Sequence, residues 1–557
     1  MAAFVERNSQ RVRPVVPTGN GFCMYLTSAA RAAVGPFDAE HFPNGYGEEN
    51  DYCLRASAAG LVNLIDDATY VFHRGSASFG PAKEEISKNS RATLDELHPE
   101  YSQLIREWNQ MDALDPVRGE MQRRIDAALA TGIDNALPGD ARLCLLFVLH
   151  DGGGGTRFTS EDLSRAVARR YRVVVLRTAV DSWSVYRYFD DARLVSVRRY
   201  AFAEPWRVER PMTPDRVAVV REICADYRVV LAHVHHLLAS GPELLTLLRQ
   251  MDIPIVFSFH DFYTVCPTIN LLDETHTYCA GRCTAGAGNC PLPAKWFLQP
   301  RPWLKHRYVH QHRRRMATVL ELCDAWVTTS EASRQVITQY FPAVDDGRFS
   351  LIEHGRDLLR LELAKAPDQG KPLRAVAFGE FNPSKGIELI LNLLRRNRDA
   401  GNPIEFHLLG QKSRDFQPEV LGAVYHGPYQ RDELAEHIRA IGPAVSLIPS
   451  LSPETYCHVL TESWAMGLPA LVSDIGTLRE RVLKHGGGWL LPVGDTEQWF
   501  AKMRGLPDDR EGYAAALEEI RKIEFTTIDS MAEKYDAIYK HLLARRRATS
   551  GSQRKRV

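Results

Sequence analysis

Two glutamates in the segment PETYCHVLTESWAMGLP, residues 453–469, have the type and spacing to bind a polar ligand. Seven residues separate Glu454 from Glu462, and Glu462 begins a helical pattern that Gly467 ends. A carboxylate before a helix and another in its first turn face one cleft, where they accept hydrogen bonds from sugar or ribose hydroxyls. On spacing alone, two solvated glutamates at a helix N-terminus account for the pattern equally well.

A glycine-rich turn is the second candidate. The segment HDGGGGTRF places Gly152–Gly155 directly after an apolar strand-like run. Consecutive glycines let a backbone approach a ligand and leave N–H groups for its oxygens, although a tight turn alone also explains them. Arg157 stands where the dinucleotide fingerprint requires a third glycine, so a nicotinamide dehydrogenase is disfavoured.

Four cysteines cluster in a loop rich in glycine and proline: Cys266, Cys279, Cys283 and Cys290. This spacing allows a tetrahedral thiolate site for structural zinc, but it lacks paired C-x2-C knuckles. Unligated thiols are the alternative, and disulfides are the least expected state in a reducing compartment.

The segment RPWLKHRYVHQHRRR, residues 301–315, combines basic side chains with Trp303 and Tyr308. A helix of this composition suits an anionic membrane face. A solvated basic helix is an equal alternative.

Two series of apolar runs position these candidates. From Leu143, and again from Arg374, strand-like runs alternate with helical patterns, which predicts two successive doubly wound α/β units. Ligands of such sheets bind beyond the carboxyl ends of the strands. Apolar positions between Phe525 and Leu543 recur every three or four residues and predict a closing amphipathic helix.

Composition narrows the classes of function. The 557 residues carry 69 basic and 69 acidic side chains, so no polycationic signature for nucleic acid is present. No apolar run has the length of a membrane span or signal peptide, which predicts a cytoplasmic protein with at most peripheral contact with the inner membrane face.

Residues 143–543 resemble the retaining GT-B glycosyltransferases of family GT4. The motifs VFSFHDFYTVCP, SLIEHGRDL, AFGEFNPSKGIE, FHLLGQ and SDIGTLRERV occur in the order that the family uses. The resemblance implies that Glu454 and His260 act at the transferred sugar. The donor-binding residues that it implies are Lys385 at the diphosphate, Glu462 at the ribose, and Gly153, Gly154 and Thr461.

One position departs from the family. Glu380 follows Gly379 where the family usually has arginine. Either Glu380 points away from the diphosphate, or Arg356 or another base supplies the missing charge. The sequence contains no D-x-D, so the resemblance implies transfer that requires no metal cofactor.

Residues 19–80 resemble the C-terminal half of GT-A glycosyltransferases of family GT2. The matching segments are the expected strand GFCMYL, the acidic loop VGPFDAEHFPNGYGEENDYCLR, and VFHRGSAS. The resemblance implies that Glu49 is a general base, with Glu48 and Asp51 beside it, and that His73 belongs to a metal site. A solvated acidic loop is the alternative.

The half of the GT-A family that binds the donor has no counterpart here, so the N-terminal part is expected to be inactive alone. A relic, a late start codon and half of a longer bifunctional enzyme remain open as origins, and a docking lid is its expected role. The predicted domains are 1–110 (the GT-A half), 111–139 (a helical linker), 140–355 and 356–545 (the two GT-B domains), and 546–557 (a basic tail).

The function predicted from these features is transfer of a sugar from a nucleoside-diphosphate sugar to a saccharide or lipid-linked acceptor, with retention, in synthesis of a bacterial surface polysaccharide. A non-catalytic assembly module with the GT-B fold is the alternative. A sugar-nucleotide epimerase on the same fold is less expected, because it needs no GT-A neighbour.

Overall fold

The computed structural model describes residues 2–9, 11–43, 45–71, 83–111, 114, 117–119, 121–122, 124–125, 142–188, 194–286, 288–290, 304–413 and 415–554. The chain divides into two units, Met1–Asp140 and Ala141–Val557. Each unit has its own hydrophobic cluster.

In the described residues of the first unit, the regular elements are helices, joined by turns and irregular chain. Its helices are α1 (Ala2–Asn8), α2 (Ser28–Val34), α3 (Glu48–Ala58), α4 (Lys83–Leu97) and α5 (Tyr101–Met111). Phe42, Leu54, Leu94 and Tyr101 form its small core. The chain from Lys83 to Met111 forms two helices and not one, because Pro99 disfavours helical geometry at the residue before it.

The prediction of a strand at GFCMYL, residues 21–26, is wrong. These residues form a turn and irregular chain, and the extended pairing described in this unit is one isolated bridge between Val15 and Leu64. A strand needs a neighbour for its backbone N–H and C=O groups. The described part of this unit provides no such neighbour for residues 21–26.

The second unit begins with an eight-stranded sheet in the order β4-β3-β2-β1-β5-β6-β7-β8. Its strands are β1 (Cys144–His150), β2 (Arg172–Thr178), β3 (Ser182–Tyr188), β4 (Leu194–Ala201), β5 (Val229–Val234), β6 (Ile255–Ser258), β7 (Ala325–Thr328) and β8 (Phe349–Leu351). The helices that connect them are α6 (Gly155–Val167), α7 (Pro214–Asp226), α8 (Glu243–Gln250), α9 (Val309–Leu320) and α10 (Glu331–Tyr340). Strands β3 and β4 form an antiparallel extension that the apolar runs did not indicate, while the other strands are parallel.

A six-stranded parallel sheet follows in the order β11-β10-β9-β12-β13-β14. Its strands are β9 (Leu373–Phe381), β10 (Ile404–Lys412), β11 (Val424–Tyr425), β12 (Val445–Ile448), β13 (Ala470–Ser473) and β14 (Gly488–Leu491). Its helices are α11 (Ile387–Asp399), α12 (Leu434–Ile441), α13 (His458–Ala465), α14 (Gly476–His485), α15 (Thr496–Gly505) and α16 (Arg510–Lys522). The two doubly wound sheets confirm the fold class predicted for this region.

The chain crosses between the two sheets twice. Residues 352–372 lead to the second sheet, and residues 523–527 lead back to the last helix, α17 (Ile528–Arg554). Tyr535 and Tyr539 of α17 are buried in the core of the first sheet, as the predicted amphipathic pattern requires. The two crossings touch at Gly355, where a Cβ atom would lie 2.3 Å from the carbonyl oxygen of Thr527.

We predict that Gly355→Ala destabilises the second unit by about 1–3 kcal/mol, because the added methyl group overlaps backbone atoms that cannot rotate away. Gly347→Ala is the matched control, since a Cβ at Gly347 meets no atom within 4 Å. Urea unfolding of both variants checks this. Equal midpoints for Gly355→Ala and the wild type would show that the crossings are not tightly packed.

Candidate functional site

A cavity of about 560 Å³ lies between the carboxyl ends of the two sheets of the second unit. The first sheet contributes the turn after β1 and the segment after β6, and the second contributes the turns after β9, β10 and β12. It is lined by several of the sequence candidates from both sheets: Gly154, His260, Lys385, Glu454 and Glu462. The structure therefore brings together residues that lie up to about 300 positions apart in the chain.

Lys385 and Glu454 form one ion pair of this cavity. Lys385 ends a short 3-10 turn that the Asn382 side chain caps, and its Nζ lies 2.8 Å from Glu454 Oε1. The Ser450 hydroxyl donates to the same oxygen. Burial raises the pKa of Glu454, but Lys385 and Ser450 outweigh burial and hold the pKa below its ordinary value. Glu454 is therefore a carboxylate at neutral pH.

The backbone around this pair is unusually constrained. Gly386 has φ +75°, and a Cβ there would lie 2.0 Å from the carbonyl oxygen of Pro449. Glu454 itself has φ 47°, in the left-handed region that non-glycine residues rarely adopt. Such strain persists where the surrounding fold fixes the position of a side chain.

Glu462 and Arg356 form a second ion pair through Glu462 Oε1 and Arg356 Nη2. Both side chains are nearly buried, with 11% and 5% of their surface exposed. Burial raises the pKa of Glu462 above its ordinary value despite the opposing effect of Arg356. The neighbouring Thr461 hydroxyl accepts a hydrogen bond from Arg481 Nη2 at 2.8 Å. This bond links helix α13 to helix α14.

Three histidine rings stack in the cavity. His260 and His354 have ring centroids 5.2 Å apart, and His354 and His458 have centroids 5.4 Å apart, with nearly parallel planes. His235 Nδ1 lies 2.8 Å from His260 Nε2. Burial lowers the pKa of His260 to about 4 and that of His354 and His458 well below the ordinary value. The three rings are neutral at physiological pH.

The sequence analysis missed His354 and His458. His354 precedes Gly355 at the start of the crossing, and His458 begins α13. Each is a single histidine in a motif in which other residues had drawn the interpretation. The contacts among the three histidines arise only because the two sheets face each other. The available signal was the placement of each histidine beside a predicted strand or helix end.

The glycine-rich turn lies opposite helix α13. Gly154, with φ 104°, precedes helix α6, and Gly153 lies one residue earlier. A Cβ at Gly155 would lie 3.1 Å from His458 Cδ2, and Thr159 Oγ1 lies 3.2 Å from His458 Nε2. The N-termini of α6 and α13 thus meet in the cavity, where the helix dipoles favour an anion.

Glu380 lines the same cavity and is exposed to solvent. The expectation that it points away from the site is not supported. Burial lowers the pKa of Lys385, but the negative charge of Glu454 and, to a smaller extent, that of Glu380 raise it above its ordinary value.

The acidic candidates of the first unit separate into two groups. Asp51 is buried and paired with Arg55 at 2.8 Å and with His98 at 2.9 Å. Glu48 and Glu49 instead line a cavity of about 290 Å³ within this unit. Burial, followed by the charge of Glu48, raises the pKa of Glu49. His73 lies outside the described residues.

The cysteines Cys266, Cys279, Cys283 and Cys290 line one small cavity of about 20 Å³ and are free thiols. Among the residues that the structure describes, no group of three or more histidine, cysteine or acidic side chains is arranged to hold a metal ion. The expectation of structural zinc at these four positions therefore has no support here. Burial raises the pKa of Cys290 to about 12, so this thiol stays protonated.

Several side chains of the basic segment, residues 301–315, are bound or buried within the protein. Arg313 Nε donates to the carbonyl oxygen of Val265, Arg315 pairs with Glu243, and His312 is buried. Trp303 lies outside the described residues, and within the described ones no helix has the length and apolar character to cross a membrane. The membrane contact suggested for residues 301–315 stays a prediction.

Comparison with known proteins relates both sheets to enzymes that transfer sugars. Residues 152–360 match the family described as Glycosyltransferase Family 4, and residues 372–509 match the family described as Glycosyl transferases group 1. A GDP-mannose-dependent alpha-mannosyltransferase of Mycobacterium tuberculosis is 31% identical over 156 residues, which are 27% of this chain and 38% of that protein.

A phosphatidyl-myo-inositol mannosyltransferase of Mycobacterium leprae is 27% identical over 202 residues, which are 34% of this chain and 51% of that protein. The chain thus spans about half or less of the length of these curated relatives. Among solved structures, sucrose-phosphate synthase from Thermosynechococcus elongatus superposes with a TM-score of 0.51 at 16% identity, covering 72% of this chain and 100% of that one. This likeness supports the GT-B fold.

We predict that Lys385→Met lowers stability most at neutral pH and less as the pH falls. Without Lys385, burial raises the pKa of Glu454, so the folded variant holds an unpaired carboxylate at pH 7, at a cost of about 1–2 kcal/mol given that Lys385 is 38% exposed. Protonation of Glu454 below its raised pKa removes most of that cost.

Melting of wild type and variant between pH 4.5 and 8 checks this prediction. Lys371→Met is the control, because its pair with Asp368 is solvated, with 74% and 64% of the side chains exposed, and its loss should change melting little at any pH. A loss in Lys385→Met that is the same at every pH would contradict the assigned pairing.

Proposed function

Residues 152–360 and 372–509 are glycosyltransferase domains, and from this premise we propose that the chain transfers a sugar from a nucleoside-diphosphate sugar to a saccharide or lipid-linked acceptor with retention. The observation that carries the proposal is the cavity between the two sheets. It holds a lysine-carboxylate pair, neutral imidazoles and two helix N-termini within one site.

The groups of the cavity suit a departing diphosphate. When the bond between the anomeric carbon and the diphosphate oxygen breaks, negative charge grows on that oxygen, and Lys385 Nζ and the N-termini of α6 and α13 offset it. In the proposed site Glu454 faces the donor sugar and orients Lys385, while Glu462 accepts from ribose hydroxyls. No D-x-D is present in the sequence, so these groups are proposed to act without a divalent metal.

Retention determines where the acceptor proton goes. The acceptor oxygen must form its bond to the anomeric carbon on the face that the diphosphate leaves, so the acceptor hydroxyl and the leaving oxygen are neighbours. We assign the hydroxyl proton to that leaving oxygen. His260 is neutral, and its role is to hydrogen-bond the transferred sugar rather than to donate a proton.

The biological context is also part of the proposal. The names of two curated relatives specify mannose transfer, and one names a phosphatidylinositol acceptor. These names support mannose, with GDP as the carrier, as the first donor to test and a lipid-linked glycan as the first class of acceptor. A place in cell-envelope polysaccharide synthesis follows from that acceptor class.

We predict that Glu454→Gln lowers sugar transfer by at least about 100-fold while melting stays close to that of the wild type. The assay incubates the full chain with radiolabelled GDP-mannose, UDP-glucose or UDP-N-acetylglucosamine and lipid extracts, and it measures label in the lipid fraction. Glu353→Gln is the control, because its carboxylate pairs with Lys484 outside the cavity.

Added EDTA should leave wild-type transfer unchanged. Loss of transfer with EDTA and recovery with magnesium or manganese would contradict the proposed metal-independent site. Wild-type turnover by Glu454→Gln would remove Glu454 from the chemistry.

We also infer that the first unit does not supply the chemistry of this transfer, so Glu49→Gln should change turnover less than about twofold. General-base catalysis needs the base and the donor within reach of one hydroxyl. The described residues of the first unit contain no sheet that could hold a nucleotide. A loss of about 100-fold with unchanged melting would overturn this inference.

A further inference from the structure

The charge balance of the cavity is incomplete for a diphosphate. Lys385 is already paired with Glu454, and Glu380 adds an exposed negative charge to the same cavity. A nucleoside diphosphate brings at least two more negative charges. Like charges that are this close repel each other unless a cation lies between them. The site needs a further cation with free donors.

Arg356 has those donors. Its side chain is 5% exposed, and Nη2 donates to Glu462. Nε and Nη1 are buried and have no hydrogen-bond partner among the described residues. A buried N–H group of a cation without an acceptor costs free energy that a bound oxygen recovers. Arg356 also lines the cavity between the sheets, so an entering ligand meets these atoms.

The backbone holds Arg356 in place. Its N–H donates to the carbonyl oxygen of Thr526 at 2.8 Å, and the adjacent Asp357 Oδ1 accepts from the N–H of Ile528 at 3.0 Å. Together with the close contact at Gly355, these bonds fix the residue between the two crossings. A guanidinium that is positioned before binding loses little freedom when its ligand arrives.

Asp162 of helix α6 is another anion that interacts with Arg356. Burial raises the pKa of Asp162 above its ordinary value, and the charge of Arg356 opposes that rise. The ion pairs that Asp162 forms are with Arg165 and Arg431, at 3.9 and 3.4 Å, and none is formed with Arg356. The Nε and Nη1 groups therefore remain available to a ligand.

Resting on the proposed function, we propose that Arg356 binds the phosphate oxygens of the nucleoside diphosphate through Nε and Nη1 while Nη2 keeps its bond to Glu462. Nε–H and Nη1–H point in different directions in the guanidinium plane, on either side of Nη2, so each can donate to a different oxygen of the diphosphate. One arginine thus joins the acid assigned to the ribose to the diphosphate next to it. It supplies the positive charge that Glu380 does not.

The test is calorimetric binding of GDP, UDP and the matching nucleosides to the full chain. For whichever diphosphate binds the wild type, Arg356→Gln should lower the affinity by about 10- to 100-fold, because a charged hydrogen bond is lost. The nucleoside, which carries the ribose but no phosphate, should keep its affinity within about twofold. Arg356→Lys should recover only part of the loss, since an ammonium on a flexible chain lacks the guanidinium's donors in fixed directions.

Arg360→Gln is the matched control. Arg360 lies on the same crossing, but its donors bind the backbone carbonyls of Ile520, Arg521 and Ile523 and it does not line the cavity. It should change melting without changing the diphosphate affinity. The double variant Arg356→Gln/Glu380→Arg places a guanidinium at the other position and should restore at least about tenfold of the lost affinity.

The outcomes separate the two proposals. If the wild type binds neither diphosphate, the proposed function and this inference both fail. If it binds and Arg356→Gln binds equally well, Arg356 does not contact the phosphates and only the inference fails. An equal loss for nucleoside and diphosphate also overturns it, because Arg356 would then act through Glu462. If Arg356→Gln does not fold, Arg356→Lys, which keeps a positive charge beside Glu462, decides between the same outcomes.

Discussion

The cost of burying a charge governs the site between the two sheets. Glu454 and Glu462 are both nearly buried, and each is paired with one cation, Lys385 or Arg356. Removing either cation would leave a nearly buried carboxylate without a positive partner, which destabilises the fold. The surrounding residues must therefore keep the two members of each pair in contact. The elements that position the pairs follow from this: a capped turn for Lys385, a strained loop for Glu454, and a crossing segment for Arg356.

Much of the second unit was predictable because its strands are buried on both faces. Runs such as LCLLFVL and RAVAFGEF lack the alternation of apolar and polar residues that is typical of a strand with one solvated face, and they form β1 and β9. β3 and β4 were missed because they carry serines, arginines and tyrosines at the edge of the sheet. β14 was missed because its glycine and tryptophan resemble a loop.

The site was predictable only in part, for a different reason. Lys385, Glu454 and Glu462 were found from motifs, since each motif is continuous in the chain. The partner of Glu462 was not, because Arg356 lies 106 residues away, and only the contact between the crossings brings it there. The same holds for His354 and His458, whose stacking depends on two sheets facing each other. In the first unit, Asp51 looked like part of an acidic trio with Glu48 and Glu49, but it is buried and bound to Arg55 and His98.

The neutral histidines complement the ion pairs. Burial keeps His260, His354 and His458 uncharged, so they add hydrogen-bonding atoms without adding to the charge that a diphosphate must meet. Their Nδ1 atoms are buried and have no partner among the described residues. In the proposed function, a sugar, which is rich in hydroxyl groups and carries no charge, is the part of the donor that such atoms suit.

The contact between the two crossings also limits how the sheets can move. Gly355 and Thr527 join the sheets along one line, and the helix that follows Thr527 is anchored in the first sheet. Two covalent connections that lie side by side resist sliding and leave rotation about their common line as the easiest motion. Such a rotation would open the cavity most at the edge farthest from that line. Arg356 lies beside this line, bonded through its N–H to the carbonyl oxygen of Thr526, so a rotation about the line would displace it least.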